Sequence, residues 1–312
     1  MRRPPSNDRE SRYRKHGPLH LGRRTYRAIR GHPANAGHVW TALLRAVRWQ
    51  LRKRVRRSPL DYVASRGYTI RCHSDSNSAS HLFYFGEWFD FHEMHFVSRY
   101  LDGGDCVIDA GANIGTYALL AASIVGPDGH VDAFEPHHIA FARLAENVEL
   151  NGYEGIVACH RSAVGAADGD VDLLSDMDVA NRVVQERHLV DRRYDRVPCT
   201  TLDSLLGSDD YAFAKIDVEG LELDVLRGAE QGLRRGNPPV VQLELLPGVL
   251  RKAGSSVEQV AELLGDVEYE LCQFDARRGI LTRLPVPPHG NALAIWRPAF
   301  DHVERRVRGA ES

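Results

Sequence analysis

Beyond Pro59 the chain alternates short runs of β-branched and aliphatic residues with longer stretches in which apolar positions recur every three or four residues. That alternation is the pattern of a parallel sheet covered by helices. It predicts strands over 106–110, 130–135, 156–160, 212–217, 240–245, 269–274 and 292–296, and helices over 91–100, 115–124, 137–149, 221–227 and 256–264. Residues 164–205 form a long connection rich in Asp and Arg, where extra strands or acceptor-facing loops are expected. Upstream, Trp40, Leu43, Leu44, Val47, Leu51 and Val55 recur at spacings of three and four, with Arg45, Arg48, Arg52, Lys53, Arg54 and Arg56 over much of the remaining surface. This predicts a basic amphipathic helix over 38–57. Residues 1–36 hold few large aliphatics and are expected to be disordered. The organisation expected is therefore a basic arm over 1–57, one domain over 58–300 and a C-terminal tail over 301–312.

Charge sharpens that division. The 312 residues carry a net charge of only -2, but residues 1–57 hold 17 Lys/Arg against Asp8 and Glu10, so the arm is about +15 and the rest about -17. Three readings of the arm stand side by side. It is an idle solvated tail, or a helix that lays Trp40 and Trp49 with their apolar neighbours into an anionic membrane surface, or a tether for nucleic acid. An acidic domain without an RNA-binding pattern argues against the last. Five separated cysteines with no C-x-x-C pair fit a reducing compartment, and no apolar run approaches the roughly 18 residues of a membrane span. The expected location is the cytoplasm, with peripheral contact at the membrane's inner face as an option.

Candidate chemistry begins at Cys-Val-Ile-Asp-Ala-Gly-Ala-Asn-Ile-Gly-Thr over 106–116, a buried strand entering a glycine turn and then a helix. Gly111 and Gly115 let the backbone bend sharply and approach a ligand, and the helix start offers free N–H groups. Twenty residues beyond Gly115, Glu135 ends the next strand, where a carboxylate can accept both hydroxyls of a ribose. A bland alternative makes the glycines a mere turn and Glu135 a solvated acid. A nicotinamide fold needs the same parts but wants glycine where this chain has Asn113, a side chain that suits a cofactor without a pyrophosphate.

These stretches, with SAVGAADG, TTLDSLL and above all AKIDVEGLELDVLRGAE, resemble the FkbM family of methyltransferases from about residue 86 to 296. The resemblance implies a class I methyltransferase fold of the α/β, Rossmann-like type. Its sheet would have seven mostly parallel strands, helices on both faces and an antiparallel last strand. It further implies S-adenosyl-L-methionine as cofactor and a hydroxyl acceptor on a sugar-containing, lipid-linked or secondary-metabolite molecule. An RNA methyltransferase is the alternative. Asp109, Gly111, Asn113 and Gly115 would line the methionine half of the cofactor, Glu135 would hold the ribose, and Ser162 and Ala163 would meet the adenine. Where relatives commonly carry His-Pro after the fifth strand, this chain has Leu246-Pro247.

A hydroxyl acceptor needs a group to take its proton. Asp217 ends the fourth strand, Glu219 follows it and Glu244 ends its neighbour, so three carboxylates can converge. They admit three readings: acids that include the base, an oxygen site for a divalent cation, or a network capping the next helix. Lys215, two residues before Asp217, is expected to pair with a carboxylate in a buried setting. His81, His92 and His95 cluster before the first strand in a segment suited to a lid. The aromatic run from Phe83 to Phe91 reads as core more readily than as a stacking platform.

Overall fold

A computed structural model of the chain describes residues 22–55, 58–174, 194–207 and 209–309. It opens on α1 (Arg23–Gly31) and α2 (Val39–Val55), followed by the hairpin of β1 (Leu60–Val63) and β2 (Thr69–Cys72), then α3 (Asn77–Phe85) and α4 (Phe91–Tyr100). Disorder was the expectation up to residue 36, yet Ile29 and Asn35 are buried, and the Asn35 amide donates to the carbonyls of Ile29 and Tyr84 at 2.9 Å each. The part of that expectation covering residues 1–21 lies outside the described residues.

The amphipathic helix is present, but its orientation separates its two tryptophans. Ala42, Ala46 and Trp49 face the body, with Trp49 stacked 4.1 Å from Phe83 and its indole N–H donating to Ser80, while Trp40, Leu44, Leu51 and Val55 are exposed. Two alanines let the helix approach α3 closely, and close packing outweighs the larger but more distant aliphatic stripe.

The remaining chain alternates strand and helix. It runs β3 (Cys106–Ala110), α5 (Thr116–Val125), β4 (His130–Phe134), α6 (His138–Leu150) and β5 (Val157–His160). The long connection contributes β6 (Ala163–Val164), β7 (Gly169–Leu174) and β8 (Tyr194–Thr200), which pair as a separate three-stranded sheet; its segment 175–193 lies outside the described residues. Then come α7 (Asp203–Leu206), β9 (Phe213–Ile216), α8 (Glu222–Arg227), α9 (Glu230–Arg234), β10 (Val240–Leu245), α10 (Pro247–Lys252), α11 (Val257–Asp266), β11 (Tyr269–Asp275), β12 (Ile280–Arg283), β13 (Gly290–Trp296) and α12 (Phe300–Gly309). The expected tail over 301–312 is largely this last helix, which buries Val303 and Val307.

The central sheet has eight strands in the order β12-β11-β13-β10-β9-β3-β4-β5. Seven were expected; the eighth, β12, is an edge strand that folds back antiparallel on β11. β13 is antiparallel to β10 as expected of the last strand, while β5, β4, β3, β9 and β10 are parallel. All four residues of β9 are buried, because helices cover both faces of a parallel sheet. Val107, Phe213 and Val240 enter one apolar layer, and Ile108, Ala214 and Val241 the other. From β3 the chain winds outward through β4 and β5, then returns to β9 on β3's other side, so the carboxyl ends of β3 and β9 flank a topological switch point.

Candidate active site

A cavity of about 630 Å³ opens at that switch point. Parallel register places Lys215 beside Asp109, and the two-residue period of a strand brings Asp217 to the same face. The Lys215 ammonium donates to Asp217 Oδ2 at 2.9 Å, lies 3.9 Å from Asp109 Oδ1 and sits over the Tyr117 ring. Burial opposes the lysine's charge, but the carboxylates of Asp217 and Asp109 outweigh it and hold the ammonium protonated well above its ordinary value. Asp109 is 1% exposed and neither carboxylate oxygen makes a well-formed hydrogen bond; burial pushes its pKa up to about 6 against the pull of Lys215.

The glycine turn is built by backbone. Gly111 and Ala112 both donate their N–H groups to the Phe134 carbonyl at 2.9 Å, and Gly111, Asn113 and Gly115 adopt left-handed φ angles of 85°, 52° and 91°. Gly111 allows a contact no other residue would: a Cβ there would lie 1.9 Å from the Asp217 carbonyl oxygen. Gly115 also serves packing. It lies outside the cavity lining, and its missing side chain leaves room for Leu144 on α6. Asn113 lines the cavity, and its carboxamide oxygen accepts a hydrogen bond from Ser78 of α3.

Glu135 also lines the cavity although only 4% exposed. Its Oε2 accepts from the Asn113 N–H and its Oε1 from the His137 N–H, each at 2.9 Å. Burial lifts its pKa to about 7 despite those two bonds. Each oxygen keeps a second lone pair for a ligand hydroxyl. Ser162 and Ala163 complete this side of the lining.

Asp217, Glu219 and Glu244 all reach the cavity. Glu244 is pushed up to about 7, first by burial and then by the nearby charges of Asp217 and Glu219. Among the described residues no group of three or more His, Cys, Asp or Glu is arranged to hold a metal ion. Sequence reasoning passed over Glu222 at the start of α8, whose Oε1 accepts the N–H groups of Val218 and Gly220 in the preceding turn at 3.3 and 3.1 Å.

Glu222 carries a pH signature. It is 1% exposed, Oε2 has no partner, and burial lifts its pKa from 4.5 to about 7. A carboxyl whose pKa is higher folded than unfolded stabilises the fold below about pH 4.5, and that contribution is lost as pH rises through 7. Glu222→Gln keeps the accepting oxygen without the charge. Relative to wild type it is expected to gain roughly 2 to 3 kcal/mol between pH 5 and 8 in urea unfolding. Parallel stability curves for the two proteins would reject the assignment.

The structure adds groups that sequence reasoning did not single out. Asp90, between α3 and α4, accepts a hydrogen bond from the Tyr117 hydroxyl at 3.1 Å, and that hydroxyl accepts one from Gln242 at 3.1 Å. Burial raises the Asp90 pKa. A lone glutamine in the apolar run VVQLEL and a tyrosine in TYALLAA were the available signals. Gln50 and Lys53 of α2 and Ser78, His81 and Tyr84 of α3 also line the cavity. Burial lowers the His81 pKa and favours its neutral form. His92 and His95 lie outside the lining: His92 Nδ1 accepts the Ala276 N–H, and the His95 ring bonds the Phe91 carbonyl. Of the aromatic run, Phe83 is core, whereas Tyr84 and Phe89 face the cavity.

A family model described as "Methyltransferase FkbM domain" matches residues 109–274. Hexuronic acid methyltransferase AglP of Haloferax volcanii is 28% identical over 170 residues, which cover 53% of this chain and 63% of that protein. Methyltransferase 1 of Beauveria bassiana is 30% identical over 151 residues, or 40% of this chain and 58% of that protein. The match thus spans less than two thirds of either relative's length. Among solved structures, a SAM dependent methyltransferase from Aquifex aeolicus is 16% identical with a TM-score of 0.38, covering 70% of this chain and 92% of that one.

Proposed function

Given that the chain belongs to the FkbM methyltransferase family, we propose that it is an S-adenosyl-L-methionine-dependent O-methyltransferase. Its acceptor is a hydroxyl on a sugar-containing, lipid-linked or secondary-metabolite molecule. A relative named for hexuronic acid supports the sugar end of that range. The observation that carries the reading is one cavity that joins two kinds of chemistry. The glycine turn, Glu135 and the buried Asp109 line it, and beside them stand Asp217, half-open to the cavity and paired with Lys215, and residues of α2 and α3.

The residues present fit the cofactor. Asp109, a buried carboxylate whose nearest cation, Lys215, stays 3.9 Å away, suits a ligand that brings an ammonium group, and Glu135 has two free lone pairs for a ribose diol. Asp109, Gly111 and Asn113 would hold the amino-acid half, Glu135 the ribose, and Ser162 with Ala163 the base. When bound, S-adenosyl-L-methionine supplies a methyl group on an already activated sulfonium. The chain must therefore align the acceptor and manage its proton. Asp217 accepts the hydroxyl proton as the oxygen reacts. Lys215 holds the Asp217 carboxylate in place through Oδ2 and leaves Oδ1 to face the acceptor. Glu244 and Glu219 supply further acceptors on the same rim, and the Asp90–Tyr117–Gln242 chain fixes the floor.

Glu135→Ala is expected to weaken S-adenosyl-L-methionine binding by about 1 to 3 kcal/mol, the range for charge-assisted hydrogen bonds, in isothermal titration. Unchanged affinity would remove Glu135 from the site. The function itself is tested by transferring a labelled methyl group into a lysate separated into lipid, glycan, small-molecule, RNA and protein fractions. Label in the lipid, glycan or small-molecule fraction is the expected result; label confined to RNA or protein would overturn the hydroxyl reading.

A further inference from the structure

Ten large hydrophobic side chains are exposed among the described residues, and five of them lie on α1 and α2: Tyr26, Trp40, Leu44, Leu51 and Val55. Trp40 and Val55 are each 79% exposed. The last four recur at spacings of four and seven residues, so they form one stripe along α2. The stripe is held outward because the opposite face of α2 is pinned. Trp49 stacks on Phe83, and the Arg45 side chain donates to the Phe83 carbonyl at 2.8 Å. Arg48 and Arg54 are exposed beside the stripe, and α1 exposes Arg23, Arg24, Arg27 and Arg30. No acidic residue occurs between Glu10 and Asp61.

We propose that this face docks on an anionic lipid bilayer. Trp40, Leu44, Leu51 and Val55 enter the boundary between headgroups and acyl chains, and the flanking arginines meet lipid phosphates. Charge complementarity selects this occupant. A second copy of the chain would bring the same excess of positive charge to the contact, and so would residues 1–21, which hold six Lys/Arg against two acids. A nucleic acid would satisfy the arginines but gives the exposed aliphatic stripe no partner. A bilayer satisfies both. Because α2 also lines the cavity through Gln50 and Lys53, docking places that wall of the site beside the lipid surface. This last step rests on the proposed function; the docking itself does not.

The test is sedimentation of the full chain with phosphatidylcholine vesicles, with and without phosphatidylglycerol, followed also by tryptophan fluorescence. Wild type is expected to bind the anionic vesicles at least tenfold more tightly than the neutral ones, with a blue shift. Trp40→Ser/Leu44→Ser is expected to lose at least tenfold of that binding and the shift. Arg48→Glu/Arg54→Glu should lose binding to anionic vesicles while keeping S-adenosyl-L-methionine affinity, as should the first variant. Equal sedimentation of wild type and Trp40→Ser/Leu44→Ser would overturn the proposal, and so would binding to oligouridylate without binding to vesicles. Cofactor affinity, measured on the same samples, reports separately on the methyltransferase reading.

Discussion

Replacement of Gly111 by alanine is expected to destabilise the protein by more than about 4 kcal/mol and to abolish S-adenosyl-L-methionine binding at the same time. Two costs combine. The left-handed backbone, φ 85°, disfavours any Cβ by roughly 1 to 2 kcal/mol. The added carbon would also lie 1.9 Å from the Asp217 carbonyl oxygen, a backbone atom at the end of β9 that cannot rotate aside. Relief requires the ends of β3 and β9 to part, which breaks the bond from the Asp217 N–H to the Ala110 carbonyl, 3.0 Å long. Gly126→Ala separates the two costs. That glycine has φ 66° and open space around it, so only the backbone term applies. Chemical unfolding of both variants checks the argument, and a Gly111→Ala protein no less stable than Gly126→Ala would refute the close approach.

Asp217→Asn is expected to lower kcat by about 100- to 10,000-fold, the usual contribution of a positioned general base, while S-adenosyl-L-methionine affinity stays within about threefold of wild type. Asparagine preserves shape and can still accept from Lys215, but it cannot take a proton. Glu244→Gln is the natural comparison: its carboxyl stands on the same rim without the lysine bond that positions Asp217, so its loss should cost less. Single-turnover kinetics with an identified acceptor measures both. Full activity in Asp217→Asn would reassign the base, and equal losses in the two variants would make the proton a shared property of the pair.

The parallel core was legible because its information is local. Strands buried on both faces read as unbroken apolar runs, and β3 and β10 fall over the predicted 106–110 and 240–245. The glycine turn and Glu135 were legible for a related reason: a sharp bend and a strand-end acid leave marks within a few residues of each other. What escaped depends on contacts distant in sequence. β1 alternates half-buried and exposed positions over only four residues and draws its order from β2. The Asp90–Tyr117–Gln242 chain joins a loop, a helix and a strand through bonds that span 27 and 125 residues. In α2 the periodicity grouped the right residues but could not say which group meets the body; two alanines and Trp49 decided that by how closely they pack.

The division of the cavity wall has a consequence for altering this chain. Asp109, Glu135 and Asp217 fall inside the stretch matched by the family model, whereas Gln50, Lys53, Ser78, His81, Tyr84 and Asp90 fall before it. On the proposed function, substitutions confined to residues 50–90 would therefore reshape one part of the pocket while leaving the carboxylates assigned to the cofactor and the proton in place, so the N-terminal block offers a handle on acceptor fit that spares the reacting groups.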